Sequence, residues 1–264
     1  MRGELLSRWH DALAEQAPVA LATVIEGTLG GKILVTPEDH VGSSGNDDLD
    51  RAIIEAARGM LEGGRTGTIH FGPRGQRRME DVAVFIQSFA PPPRMYVFGA
   101  IDFASAVARM GKFMGYRVTV CDARPVFATR ERFPTADEVV VAWPDEFLKT
   151  APVDKRTVIC VLTHDPKFDV PILVEALKTD AGYIGAMGSR RTHNNRTARL
   201  KEEGVADEEL RRISSPIGLD IGARTPEETA VAIAAEIIAL HTGHSGGRLA
   251  ERSGPIHARE STAR

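Results

Sequence analysis

The spacing of apolar residues changes repeatedly along the chain. In residues 1–16, Leu5, Leu6, Trp9 and Leu13 recur at helical spacing, which predicts an amphipathic helix. "VALATVIEG" and "GKILVT" then read as two strands joined by a glycine turn. In "NDDLDRAIIEAARGMLEGG" the helical period returns. Leu49, Ile53, Ile54, Ala57 and Leu61 form one face, Asn46 or Asp47 can cap the start, and Gly63 with Gly64 ends the helix. "TGTIHFG" and "DVAVFIQSF" follow as two further strands, completing a small α+β unit.

Pro91, Pro92 and Pro93 interrupt this pattern. Three consecutive prolines continue neither a helix nor a central strand, so a domain boundary is expected there. Beyond it, near-continuous apolar runs alternate with helical ones. "MYVFGA" precedes a helix through Met114, and "YRVTVCD" precedes a loop rich in Arg and Pro. "DEVVVAWP" and "RTVICVLTHD" are the next strands, followed by a helix near Pro171 to Lys178. "AGYIGAMGS" and a polar helix from about Arg190 to Glu203 come next. The last helix, "RTPEETAVAIAAEIIALHTG", has Thr225 as N-cap, Pro226 at its first position and Glu228 completing a capping box. Strand-then-helix order with apolar strands predicts a Rossmann-like α/β fold, a parallel sheet with helices on both faces. The expected organisation is a small α+β domain over 1–90, a Rossmann-like domain over 91–244, and a Gly/Ser-rich tail over 245–264 that should be disordered.

Composition narrows the functional classes. Of 264 residues, 42% are hydrophobic and 26% charged, with a net charge of −3. That is ordinary for a globular protein and gives no basic field for nucleic acid or an anionic membrane. No apolar run approaches the ~20 residues that span a bilayer, and no secretory signal pattern opens the chain, so a cytoplasmic protein is expected. Cys121 and Cys160 each lie in a strand-like run and read as buried free thiols rather than a disulfide or a zinc site.

Ligands of open parallel sheets bind beyond the carboxyl ends of the strands. Four such ends carry unusual polar sequence. In "FGAIDFA", Gly99 supplies a tight turn, but Ile101 stands where a dinucleotide fingerprint has its second glycine, and Asp102 adds negative charge at the helix start. This leaves open either weakened NAD(P) binding or a Rossmann-type turn that holds no dinucleotide. Asp122 follows Gly99 by 23 residues, close to the spacing of a ribose-binding carboxylate, and Arg124 could meet a phosphate or simply pair with it. In "LTHDPKFD", Thr163, His164, Asp165 and Lys167 cluster. Asp165 with Pro166 could only be capping a helix, but that leaves His164 and Lys167 unexplained. In "GAMGSRRTHNNR", Gly188 and Ser189 precede a helix opening with Arg190, Arg191 and His193.

Cations in a first helical turn oppose the helix dipole unless an anion sits there, so an anion site is expected at Gly188–Arg191. The alternative is a solvated basic face continuing through Arg196, Arg199 and Lys201. "SSPIGLDIGART", with Asp220 between Gly218 and Gly222, is expected to fold back near the strand ends.

"PPPRMYVFGA", "GYRVTVCDARPVFATRERFPTADEVVVAWP", "TVICVLTHDPKFDVPIL", "YIGAMGSRRTH" and "SPIGLDIGARTPEETAVAIAAEII" together resemble the XdhC/CoxI family over roughly Pro91 to His241. These are accessory proteins for xanthine dehydrogenase and related molybdenum hydroxylases. The resemblance implies a dimeric, chaperone-like carrier rather than a turnover enzyme. Such a carrier binds molybdenum cofactor (molybdopterin), protects it during sulfuration by a sulfurase, and passes it to the apo-hydroxylase. On that reading Ser189, Arg190 and Arg191 hold the cofactor phosphate, His164 and Asp165 face its pterin or metal end, and Asp122 and Arg124 border the cleft.

Two departures from the family pattern stand out. Many relatives have glycine and histidine where this chain has Ile101 and Asp102. Many also carry "GSxPRxxG" and "GGCxE" stretches where this chain reads "GTLGGKILV" and "GSSGNDDLD". Two other readings stay open: an NAD(P)-dependent oxidoreductase, and a partner-binding scaffold with a vestigial cleft.

Overall fold

The computed structural model describes residues 2–15, 17–27, 30–76, 79–163, 165–251 and 253. The chain divides into two compact units, Met1–Pro92 and Pro93–Arg264.

The first unit contains α1 (Arg2–Ala14), β1 (Val19–Glu26), β2 (Lys32–Val35), β3 (His40–Ser43), α2 (Asp47–Glu62), β4 (Gly67–Phe71) and β5 (Val82–Phe89). Its strands form an antiparallel sheet of order β3-β2-β1-β5-β4. Alternate strand residues point to one face, and there Ala20, Ala22, Ile33, Val35, Val84 and Ile86 meet Leu49, Ile53, Ala57 and Leu61 of α2. Each fully buried Leu or Ile contributes about 1.5–3 kcal/mol.

Asn46 is the cap of α2, its side chain accepting from the amides of Asp48 and Leu49. Ser44 is buried just before it, and its amide and hydroxyl both donate to Asp50 Oδ1, at 2.7 and 2.5 Å. The "GSSGNDDLD" segment therefore serves as the entry of a helix. Leu6, expected on the apolar face of α1, is instead 58% exposed, whereas Leu5, Trp9 and Leu13 are partly buried.

The second unit contains β6 (Arg94–Phe98), α3 (Asp102–Phe113), β7 (Arg117–Asp122), β8 (Glu138–Val141), α4 (Pro144–Thr150), β9 (Val158–Val161), α5 (Pro166–Leu177), β10 (Tyr183–Ala186), α6 (Arg190–Glu202), α7 (Asp207–Leu210), β11 (Ile213–Ser214) and α8 (Pro226–Thr242). Its six strands are all parallel, in the order β11-β10-β9-β6-β7-β8. The order reverses between β6 and β9, the switch point of a doubly wound sheet. Val97, Val120 and Cys160 face Val107, Ile233 and Ile237 of α3 and α8. Tyr96, Phe98, Ile159 and Val161 face Leu148, Ile172, Leu173 and Leu200 of α4, α5 and α6.

Thr225 caps α8 by accepting from the Glu228 amide, while Glu228 accepts from the Thr225 amide, and Gly243 closes the helix at φ +69°. One boundary differs from expectation. The helix predicted near Pro171 begins at Pro166, because Asp165 caps it, and Pro171 lies inside it. Cys121 and Cys160 are buried free thiols, each pushed up to about 12 by burial. In the tail, Leu249–Glu251 forms one 3-10 turn. Among the described residues, no helix is long and apolar enough to cross a membrane.

Candidate functional site

The turn after β6 is built closed. Gly99 has φ +100°, and a Cβ there would come within 2.7 Å of Thr163 Cγ2 and 2.9 Å of the Thr163 amide. Glycine is therefore required both by conformation and by the close approach of the β9 end. The next amide, Ala100 N–H, donates to Asp122 Oδ2 at 2.8 Å. Arg124 supplies three more donors to the same carboxylate: its amide and Nε to Oδ1, both at 2.9 Å, and Nη2 to Oδ2 at 2.8 Å. Asp122 is 3% exposed. Burial alone would raise its carboxyl, but the Arg124 and Ala100 hydrogen bonds outweigh that and hold it below the ordinary value.

Across the same turn, Arg132 donates to the Ala100 carbonyl at 2.9 Å and to Asp102 Oδ1 at 3.2 Å. Ile101 is the N-cap of α3, without a side-chain capping bond, and packs against the core. The residues expected to greet a dinucleotide are thus engaged with one another.

The turn after β10 is different. Ser189 caps α6 by accepting from the Thr192 amide at 3.2 Å. Gly188, at φ +153°, admits the Thr192 side chain, since a Cβ would lie 3.0 Å from it. Arg190 and Arg191 are exposed. Among the described residues no acidic side chain pairs with Arg190, Arg191 or Arg199. Beside this turn lies a cavity of about 180 Å³, lined by Pro166, Asp169 and Val170 of α5 and by Arg191, Thr192, Asn195, Arg196 and Arg199 of α6. The cavity takes the first turns of α5 and runs along α6 from Arg191 in its first turn to Arg199 in its last, so the positive end of α5 and three arginines face one carboxylate.

A buried ion pair forms the floor. Arg196 Nη2 donates to Asp169 Oδ2 at 2.7 Å and to the Met187 carbonyl at 2.7 Å, and Nη1 donates to Ser215 Oγ at 3.1 Å. Thr163 Oγ1 donates to the other oxygen of Asp169. Arg196 and Asp169 are 5% and 2% exposed. This network joins the ends of β9, β10 and β11 to α5 and α6. Arg196 Nε is buried without a hydrogen-bond partner.

The structure therefore gathers some expected residues and not others. Arg191 lines the cavity, while Arg190 and His193 do not, and Ser189 acts as a cap. Thr163 turns inward to Asp169. Asp165 and Lys167 pair with each other at 3.2 Å outside it. His164 lies outside the described residues. Asp220 is exposed in its loop and does not join the cavity lining, although that loop does fold back: Ile217 N–H donates to the Ala186 carbonyl and Leu219 N–H to the Ala232 carbonyl.

Arg196 contradicts the reading of a wholly solvated basic face. Its partner Asp169 was missed, as was the part played by Arg199. The usable signals were a lone carboxylate in the apolar run "FDVPIL" and the four-residue spacing of Arg191, Asn195 and Arg199. Among the described residues, no group of three His, Cys, Asp or Glu could hold a metal ion.

Comparison with known proteins gives the relatives of the chain. The chain is 36% identical over 155 residues to a probable xanthine dehydrogenase subunit of Bacillus subtilis (strain 168), covering 59% of this chain and 45% of that protein. It is 28% identical over 156 residues to "Molybdenum cofactor insertion chaperone PaoD" of Escherichia coli (strain K12), covering 59% and 42%. The chain thus spans less than half the length of these curated relatives. A crystal structure of a xanthine dehydrogenase from Bacillus halodurans matches with a TM-score of 0.63 at 25% identity, over 90% of this chain and 66% of that one. A profile described as the XdhC and CoxI family matches residues 12–72, and one described as the XdhC Rossmann domain matches residues 95–237. With that domain covering more than half of its length, the chain belongs to the XdhC family.

Proposed function

We propose that the second unit carries molybdenum cofactor by its phosphate and passes it to an apo-hydroxylase of the xanthine dehydrogenase type. The observation that carries this reading is the arginine-lined cavity between the start of α5 and the flank of α6. A phosphate there meets the Arg191 and Arg199 guanidinium forks and the positive end of α5. Arg196 is committed to Asp169 and works as a positioning residue, fixing α6 against the sheet. The cofactor is cargo, and no bond to it is made or broken by this chain.

The size of the cavity sets a limit. About 180 Å³ falls well below the ~300–1,000 Å³ of pockets that enclose a whole drug-sized ligand. It suits the phosphate end, with the ring system outside. The name of the Escherichia coli relative supports the cargo, and that of the Bacillus subtilis relative supports the client. NAD(P) bound at the Gly99 turn is disfavoured, because Ala100 N–H and both Asp122 oxygens are already used.

The test is cofactor retention. Protein purified from cells making molybdopterin should retain oxidisable, fluorescent pterin, and the Arg191→Ala/Arg199→Ala protein should not. Equal pterin in both, or NAD(P) binding with no pterin, would overturn the proposal.

A further inference from the structure

A cavity that takes only a phosphate leaves open where the attached ring lies. We infer that the carboxyl end of β8 holds a stacking platform for a planar heteroaromatic ring, centred on Trp143. The inference deepens the phosphate-carrier reading and rests on it.

Trp143 occupies the N-cap position of α4, yet makes no capping hydrogen bond. Side chains with an oxygen are strongly preferred at such positions, so the indole is not there to start the helix. It is not there for the core either, being 54% exposed. Its ring lies 5.2 Å from the Phe168 ring at an interplanar angle of 40°. Two cations lie over Phe168, the buried member of the pair. Lys167 Nζ is 4.8 Å from the centroid of Phe168, and the Arg124 guanidinium is 6.0 Å from it and 4.4 Å from that of Phe127. Phe127 and Val126 are themselves 38% and 71% exposed.

The exposed face of Trp143, backed by the buried Phe168 ring, complements a flat heteroaromatic ring; Arg124 and Lys167 brace Phe168 while paired with Asp122 and Asp165. This surface lies beyond the strand ends, where ligands of this sheet type bind. It shares the start of α5 with the cavity. Phe168 sits on the same first turns of α5 as Pro166 and Asp169, which line the cavity wall. A phosphate held by Arg191 and a ring on Trp143 would therefore flank one helix start. The ring's chemistry fits either a pterin or the base of a nucleotide.

The test uses a Trp9→Phe background, so that Trp143 alone reports indole fluorescence. Molybdopterin, cytidine diphosphate and guanosine diphosphate are titrated separately, with inorganic phosphate as the ringless control. Saturable quenching by at least one ring-bearing ligand and none by phosphate is expected. Quenching by molybdopterin alone assigns a pterin, and quenching by a nucleotide assigns a base. In calorimetry Trp143→Ala should weaken the quenching ligand roughly 5- to 100-fold, with Trp143→Phe restoring most of the loss.

Arg191→Ala, run alongside, separates the two claims. Wild-type affinity in Trp143→Ala overturns the platform. If Arg191→Ala still loses affinity in that case, the phosphate reading stands without it. Full affinity in Arg191→Ala, with loss in Trp143→Ala, overturns the phosphate reading instead.

Discussion

The turns after β6 and after β10 have the same construction and opposite electrostatics. Each leaves a buried parallel strand through a glycine at positive φ and opens a helix of twelve or thirteen residues. At the first, the chain satisfies itself. Asp122 takes the Ala100 amide, Arg132 takes the Ala100 carbonyl and Asp102, and Arg124 closes over Asp122. At the second, cations stand at a helix start with no acidic partner among the described residues, beside a cavity. A strand-turn-helix shape therefore does not by itself make an anion site. What decides is whether the local donors are already spent, because a donor in use offers a ligand only an exchange.

Five variants probe this contrast. The largest effect is expected where the second turn is anchored. Asp169→Ala leaves Arg196 buried and unpaired and should cost about 3–5 kcal/mol, measured by urea unfolding. The double change Asp169→Leu/Arg196→Met should recover much of that, since a buried pair is often replaceable by apolar groups. A double variant as unstable as the single one would remove the ion pair from the account.

At the first turn, Gly99→Ala forces a Cβ against Thr163 at positive φ and should cost roughly 1–3 kcal/mol by the same measurement. Next comes Arg191→Ala/Arg199→Ala. Losing two exposed guanidinium contacts should weaken cofactor binding at least tenfold, about 1.4 kcal/mol or more in all. Stability should change by less than about 0.5 kcal/mol, as for other exposed sites.

The smallest effect is in acid. The folded Asp122 carboxyl titrates below its ordinary value of 3.8, so its stabilisation is present above that pH and is lost as the pH falls through the folded value. Unfolding followed from pH 5 to pH 2 should show a component that Asp122→Asn removes.

Much of the fold was legible because its causes are local. Thr225, Pro226 and Glu228 sit within four residues of one another, and their capping geometry is the one their order implies. β6, β7, β9 and β10 read correctly because both their faces are buried, whereas β8, at the sheet edge, is only half-buried. The misplaced start of α5 shows how two local signals compete: Pro171 looks like a first residue, but Asp165 and Pro166 had already started the helix. β3 and β11, four and two residues long, carry no periodicity and exist through their neighbours.

At the site, Arg191 was readable from its place in the first turn. Arg196 was not, because the Asp169 that buries it lies 27 residues earlier on another helix. Spacing likewise located Asp122, but could not reveal that Arg124, two residues on, and Ala100, 22 residues back, use up its oxygens.

The contrast between the turns is tested most directly by titrating molybdopterin into two variants by calorimetry. One removes Arg191 and Arg199 as alanines, and the other is Asp102→Ala, at the start of α3. Tenfold or greater loss in the first, with unchanged affinity in the second, is the expected result. Unchanged affinity in the arginine variant, with altered binding in Asp102→Ala, would put the anion back at the Gly99 turn and contradict the account.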